Sequence, residues 1–209
     1  MSARFCLIFG LIAGATFIAA STILGALLSD YDPVTQTISE IGERGSPFET
    51  TFRVVNLFVA GSFILFAFGV YRFSKERRVS PLPAALLGFF ATMEVGVFVF
   101  ESPHPWHNVF GIFSLLGFFA PLALAVTWPS TRDLPALRPV SVIAGVLLVG
   151  SIVLNVSPAF LNVSYIDEHY GFVHTYYGLI QRTLFIFHFW CAYLAVVLFQ
   201  LARQPAHSP

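Results

Sequence analysis

Phe5-Cys-Leu-Ile-Phe-Gly-Leu-Ile-Ala-Gly-Ala-Thr-Phe-Ile-Ala-Ala-Ser-Thr-Ile-Leu-Gly-Ala-Leu-Leu28 contains no charged side chain. A helix crossing ~30 Å of hydrocarbon at ~1.5 Å per residue needs about 20 residues of this kind. The run meets that length, exceeds an ordinary signal core, and lacks a clean small-x-small cleavage site followed by a soluble domain. It reads as a first transmembrane helix. Five more apolar stretches follow: Phe52 to Phe73, Leu82 to Val99, Val109 to Trp128, Val140 to Val156, the shortest, and Tyr177 to Leu201. Lipid offers no water to unpaired backbone groups, so each stretch must be a helix. The expectation is an all-α, polytopic bundle of six helices forming a single domain over residues 1–209.

Composition agrees. Hydrophobic residues make up 56% of the chain and charged ones 11%, with a mean hydropathy of +0.77, a balance that suits lipid better than water. The net charge is zero, which leaves no basic face for nucleic acid. Cys6 and Cys191 both sit in apolar runs and behave as small hydrophobes.

Orientation follows from the basic residues. Arg4, Arg72, Lys75, Arg77, Arg78, Arg132, Arg138 and Arg203 fall on one side of the six spans, and only Arg44, Arg53 and Arg182 on the other. The positive-inside rule puts both termini in the cytoplasm of a cell, which we take to be prokaryotic. The short basic loops from Ser74 to Pro81 and Pro129 to Pro139 then face inward. The longer, polar segments from Ser29 to Thr50, Glu101 to His107 and Ser157 to Tyr176 face outward.

Ionisable groups within spans are functional candidates because lipid makes them costly. Glu94 lies seven residues before Glu101, a spacing that draws both carboxylates onto one helix face. It is either part of a site or a structural glutamate that pins two helices. On the sixth helix His174, Gly178, Gln181, Arg182 and His188 draw a second polar stripe. Arg182, a turn below the outer surface, offers a cation to a carboxylate or phosphate, whether from a ligand or from Glu101 or Glu94.

Glu101, His104 and His107, with His174, are the donor types of a zinc site. Pro103 and Pro105 make this segment a loop, so His107 capping or steering the fourth helix competes with ligation. In the first outer loop Ser39 and Glu40 have the chemistry of a nucleophile and base, but no Gly-x-Ser-x-Gly elbow surrounds them and helix capping competes. The loop is long enough to fold over the bundle as a lid.

Three pieces together, Asp32-Pro-Val-Thr-Gln-Thr-Ile-Ser39-Glu40-Ile-Gly42, Phe100-Glu101-Ser-Pro-His-Pro-Trp-His107-Asn and Gly178-Leu-Ile-Gln181-Arg182, resemble the six-helix prokaryotic membrane proteins catalogued as domain of unknown function 998. That resemblance implies the fold and topology derived above and no particular activity. A more distant similarity is to the Frag/DRAM/Sfk group, associated with lipid and GPI-anchor remodelling or membrane trafficking. Its Ile-Ser-Asp-x-Gly and Phe-Gln-Glu segments match Ser39, Glu40, Gly42, Glu101 and His107, with Glu40 where that group favours Asp.

Two functions compete on these grounds. One is binding of a membrane lipid or other amphiphile in an outward-facing polar cavity, with Ser39, Glu40, Glu94, Glu101, His107, His174, Gln181, Arg182 and His188 as candidate ligand-binding residues. The other is a membrane-embedded lipid hydrolase or acyltransferase, with or without a metal ion such as zinc, using an outer cluster of Glu101, His104, His107 and His174. A transporter with Glu94 as proton carrier ranks third, because the sequence displays neither an inverted repeat nor a broken helix. The sequence is silent on oligomeric state.

Overall fold

The structure, a computed structural model, describes residues 2–128, 136–160 and 171–203. Its helices are α1 (Ala3–Leu27), α2 (Glu49–Glu76), α3 (Leu82–Val99), α4 (Pro105–Ser114), α5 (Ala120–Thr127), α6 (Leu137–Phe160), α7 (Gly171–Arg182) and α8 (Phe185–Leu201). Six helical segments among the described residues are long and apolar enough to cross a membrane. Four are Ala3–Leu27, Glu49–Glu76, Leu82–Val99 and Leu137–Val156, and the other two are the composite segments Pro105–Thr127 and Thr175–Leu201. This is a multi-pass, all-helical membrane protein. The third span is the shortest, at 18 residues, not the fifth, whose apolar segment runs to 20.

α1 packs against α2 and α8, α2 against α3, α3 against α5, α5 against α6, and α6 against α8, closing a ring. Small residues let these backbones approach, as they do in membrane bundles that lack a hydrophobic drive to associate. A Cβ on Gly69 would lie 2.9 Å from the Leu7 amide nitrogen, and one on Gly14 would lie 2.7 Å from the His188 carbonyl oxygen. The centre is aromatic. Phe90 lies 5.3 Å from Phe63 and 4.6 Å from Phe187 between ring centroids, and Phe187 lies 4.7 Å from Phe118. Trp190 is buried beside them and donates its indole N–H to Ser141 Oγ at 3.0 Å, so its one polar atom is satisfied. Large apolar side chains such as Phe5, Ile23, Val126 and Val146 are more than half exposed on the outside of the ring, where lipid would cover them.

Two spans are interrupted, contrary to the expectation of unbroken helices. In the fourth, Leu115–Phe119 narrows to 3₁₀ geometry between α4 and α5. Pro121 has no N–H to return to the Gly117 carbonyl, and the Ala120 N–H takes that acceptor instead. In the sixth, α7 ends at Arg182 and α8 begins at Phe185. The Thr183 hydroxyl donates to the Ile180 carbonyl at 2.6 Å and competes for the acceptors of that turn. The sequence-derived stripe from Gly178 to His188 is therefore not one continuous face.

Candidate functional site

The first outer loop is organised by its own side chains before it meets the bundle. Asp32 Oδ1 accepts from the Val34 N–H at 2.9 Å, the Gln36 N–H returns to the Asp32 carbonyl at 2.8 Å, and the Asp32 N–H donates to Gln36 Oε1 at 2.7 Å. Glu40 reaches back three residues in the manner of a capping box. Its Oε1 accepts from the Thr37 N–H and hydroxyl at 2.8 and 2.7 Å, and its Oε2 from Gln36 Nε2 at 3.0 Å. Ser39 Oγ lies 3.0 Å from Thr37 Oγ1. Ser39 and Glu40 are thus joined through Thr37 at the start of a 3₁₀ turn over Ser39–Gly42.

The loop is then held down by the outer end of the sixth span. Gly178 lies directly beneath it, where a Cβ would stand 2.4 Å from the Gln36 carbonyl oxygen and 2.6 Å from that of Pro33. The Leu179 N–H donates to the Val34 carbonyl at 3.1 Å, and Gln181 Oε1 accepts from the Ile38 N–H at 2.5 Å. Arg182 Nη1 lies 2.8, 3.0 and 2.9 Å from the carbonyl oxygens of Pro33, Gln36 and Gly178, and Nη2 donates to Tyr31 Oη. The half-buried guanidinium is satisfied by dipoles, not by the carboxylates of Glu94 or Glu101. Tyr31 in turn donates to the Thr37 carbonyl at 2.9 Å. Burial pushes its phenol above the ordinary value, opposed by the hydrogen bond from Arg182.

A second outer corner forms between α3 and α4. α3 stops at Val99, so Glu101 leaves the helix and does not share a face with Glu94. Arg53 near the start of α2 takes Glu101 through Nε and Nη2 and lies 3.4 Å from Glu49. His104 caps α4, its Nδ1 accepting from the Trp106 N–H at 3.2 Å. His107, expected to cap or steer the fourth helix, is not its cap: its Nδ1 lies 3.0 Å from both the Val97 and the Phe100 carbonyl oxygens, which calls for a proton on Nδ1 and ties α4 to the end of α3. The Arg44 N–H donates to the Ser102 carbonyl at 3.1 Å and ties this corner to the first loop.

Glu94 is further in, half-buried within α3, while the Ser114 hydroxyl of α4 donates to the Gly111 carbonyl of its own helix at 2.8 Å. His188 is buried inside the bundle, stacked on Phe17 at 4.3 Å, away from the loop. The His174 backbone belongs to α7, while its side chain, like Asp167, Glu168 and His169, lies outside the described residues. Among the described residues no group of three His, Cys, Asp or Glu side chains could hold a metal ion.

Within the first loop, from Leu28 at the end of α1 to Pro47 just before α2, opens a cleft of about 320 Å³, lined by Leu28, Ser29, Asp30, Tyr31, Gln36, Glu40, Glu43, Arg44, Gly45, Ser46 and Pro47. Only Glu40 among its lining was a sequence candidate. Asp30, Glu43 and Arg44 are not site candidates in the sequence because isolated loop charges have no periodicity to mark them. Loss of water on its cleft side raises the Glu43 carboxyl above its ordinary value, and the neighbouring Glu40 charge adds to the rise.

The model of the family described as protein of unknown function (DUF998) matches residues 11–200. The chain belongs to this family. No curated protein and no solved structure matches it. The DUF998 match runs from within α1 to the last turn of α8, so both the loop and the Gly178–Arg182 segment that grips it belong to the matched region.

Proposed function

We propose that this membrane protein, set in a prokaryotic cell membrane, binds the zwitterionic head group of an outer-leaflet lipid or similar amphiphile in the cleft between the ends of α1 and α2. The observation that carries this reading is the pairing of carboxylates with one guanidinium at the membrane rim: Asp30 and Glu43 face the same cleft as Arg44. Carboxylates suit an ammonium group and an arginine suits a phosphate. The positive-inside bias supports an outer head-group position for the cleft. Arg182 and Gln181 serve the site by fixing the loop rather than by touching ligand, since their polar atoms are already engaged. Such fixing lowers the ordering cost of binding.

The test is native mass spectrometry of the detergent-purified protein with added phosphatidylethanolamine. The wild type should retain one lipid, and Glu43→Gln with Arg44→Gln should reduce retention by roughly tenfold or more, since two charge-assisted contacts are lost. The Arg44 backbone contact to Ser102 survives that change. Equal retention by both proteins would sink the proposal.

A further inference from the structure

At the opposite end of the bundle, α1 and α8 meet around a single aromatic ring. The Arg4 guanidinium lies 5.1 Å from the centroid of Phe199 and that of Arg203 lies 5.0 Å from the same centroid. Both arginines are exposed, and among the described residues neither has a carboxylate partner. Two cations are thus gathered at one ring, and an anion beside it is favoured by both. Alongside them runs a groove of about 280 Å³ lined by Ile8, Leu11, Ala195, Val196, Phe199, Gln200 and Arg203. Ile8, Leu11 and Val196 are each about two-fifths exposed, so the groove opens on the outside of the ring of helices where acyl chains lie.

We infer that this groove is a binding site for an anionic phospholipid of the cytoplasmic leaflet, with the phosphate at its Arg203 end, where Arg4 shares the Phe199 ring, and one acyl chain along Ile8, Leu11 and Val196. Three features select that occupant. The charge is doubly positive and, among the described residues, unneutralised, the wall below it is apolar, and the basic bias of the loops assigns this end to the leaflet that carries anionic lipid. A soluble anion would use the arginines but leave the groove uncovered. The Gln200 side chain, which also lines the groove, can donate to the head group. The site is separate from the outer cleft and does not depend on it.

Native mass spectrometry with phosphatidylglycerol or phosphatidylcholine tests this in the full-length protein. The wild type should hold phosphatidylglycerol in preference to phosphatidylcholine by roughly tenfold or more, two arginines at a membrane surface each being worth about a factor of five. The double variant Arg4→Gln, Arg203→Gln should lose the preference while keeping the wild-type melting temperature, because both side chains are exposed. Val196→Trp, which fills the groove from its lipid side, should reduce retention of phosphatidylglycerol without altering the charges. Glu43→Gln with Arg44→Gln should leave the preference intact. No preference in the wild type, or its survival in the arginine variant, overturns the inference. So does its abolition by inorganic phosphate, which would assign the arginines to a soluble anion, or a dimer that Val196→Trp dissociates, which would assign the groove to a second copy of the chain.

Discussion

Glu43 is where a single residue can report on the outer cleft. Its carboxyl is raised from 4.5 by lost hydration and by the Glu40 charge, so the folded protein holds this proton at a pH where the unfolded chain has released it. The sign follows: with more protons bound to the folded state, stability falls as pH rises from about the ordinary value through the raised one. Glu43→Gln removes that dependence. The variant should melt with the wild type at the acid end and above it once Glu43 is ionised, and melting temperature against pH in detergent measures the difference. Parallel curves would mean that the cleft imposes no penalty on the charge. Retention of an amine-bearing lipid by the wild type should rise across the same window, as the ionised carboxylate becomes available to the ammonium group.

At the scale of elements, the grip of the sixth span on the first loop is the feature whose loss should spread furthest. Gly178→Ala puts a methyl group against three backbone carbonyl oxygens, those of Gln36, Pro33 and Val34. These oxygens cannot rotate aside as a side chain would, so the loop must lift and the hydrogen bonds to Leu179, Gln181 and Arg182 go with it. A cost of about 1–3 kcal/mol is expected from overpacking alone. Thermal melting and limited proteolysis read the two consequences, with cleavage between residues 30 and 45 appearing in the variant at protease levels the wild type withstands. An unchanged cleavage pattern would show that the loop is held by its own Asp32 and Glu40 hydrogen bonds. The sequence gathers the right segments at one end and picks out Gly178, Gln181 and Arg182 as a polar stripe, with Gln181 and Arg182 offered to a ligand and Arg182 also to a salt bridge with Glu101 or Glu94. Their partners are main-chain carbonyls and an N–H, groups that every residue carries and no pattern distinguishes. The spacing of Glu94 and Glu101 misled for a related reason: seven residues imply one face only while the helix lasts, and α3 ends between them. Pro121 stands beside the break in the fourth span, a residue whose effect on a helix the unbroken-span reading leaves out, whereas Thr183 has no such distinctive signature.

The architecture as a whole was the most legible level, because length and apolarity of a span are properties of the chain itself while a site depends on which loops meet. What the helices alone do not decide is which end faces out, and both proposed sites depend on it. Six spans bring the start of α1 and the end of α8 to one side, as the shared contacts of Arg4 and Arg203 with Phe199 require. The positive-inside rule assigns that side to the cytoplasm, an assignment still to be tested. Cysteine labelling can test the assignment without a prior cysteine-free background, since Cys6 and Cys191 are both fully buried and should resist reagent in the folded protein. Thr50→Cys on the first outer turn of α2 and Glu76→Cys at its other end are both exposed positions on a single helix. A membrane-impermeant maleimide added to intact cells should modify the Thr50→Cys protein and spare the Glu76→Cys protein, and permeabilised cells should yield both products. The reverse pattern would turn the molecule over. The carboxylate-lined cleft would then face the cytoplasm and the Arg4–Arg203 pair the outer leaflet, where its anionic partner would be scarce.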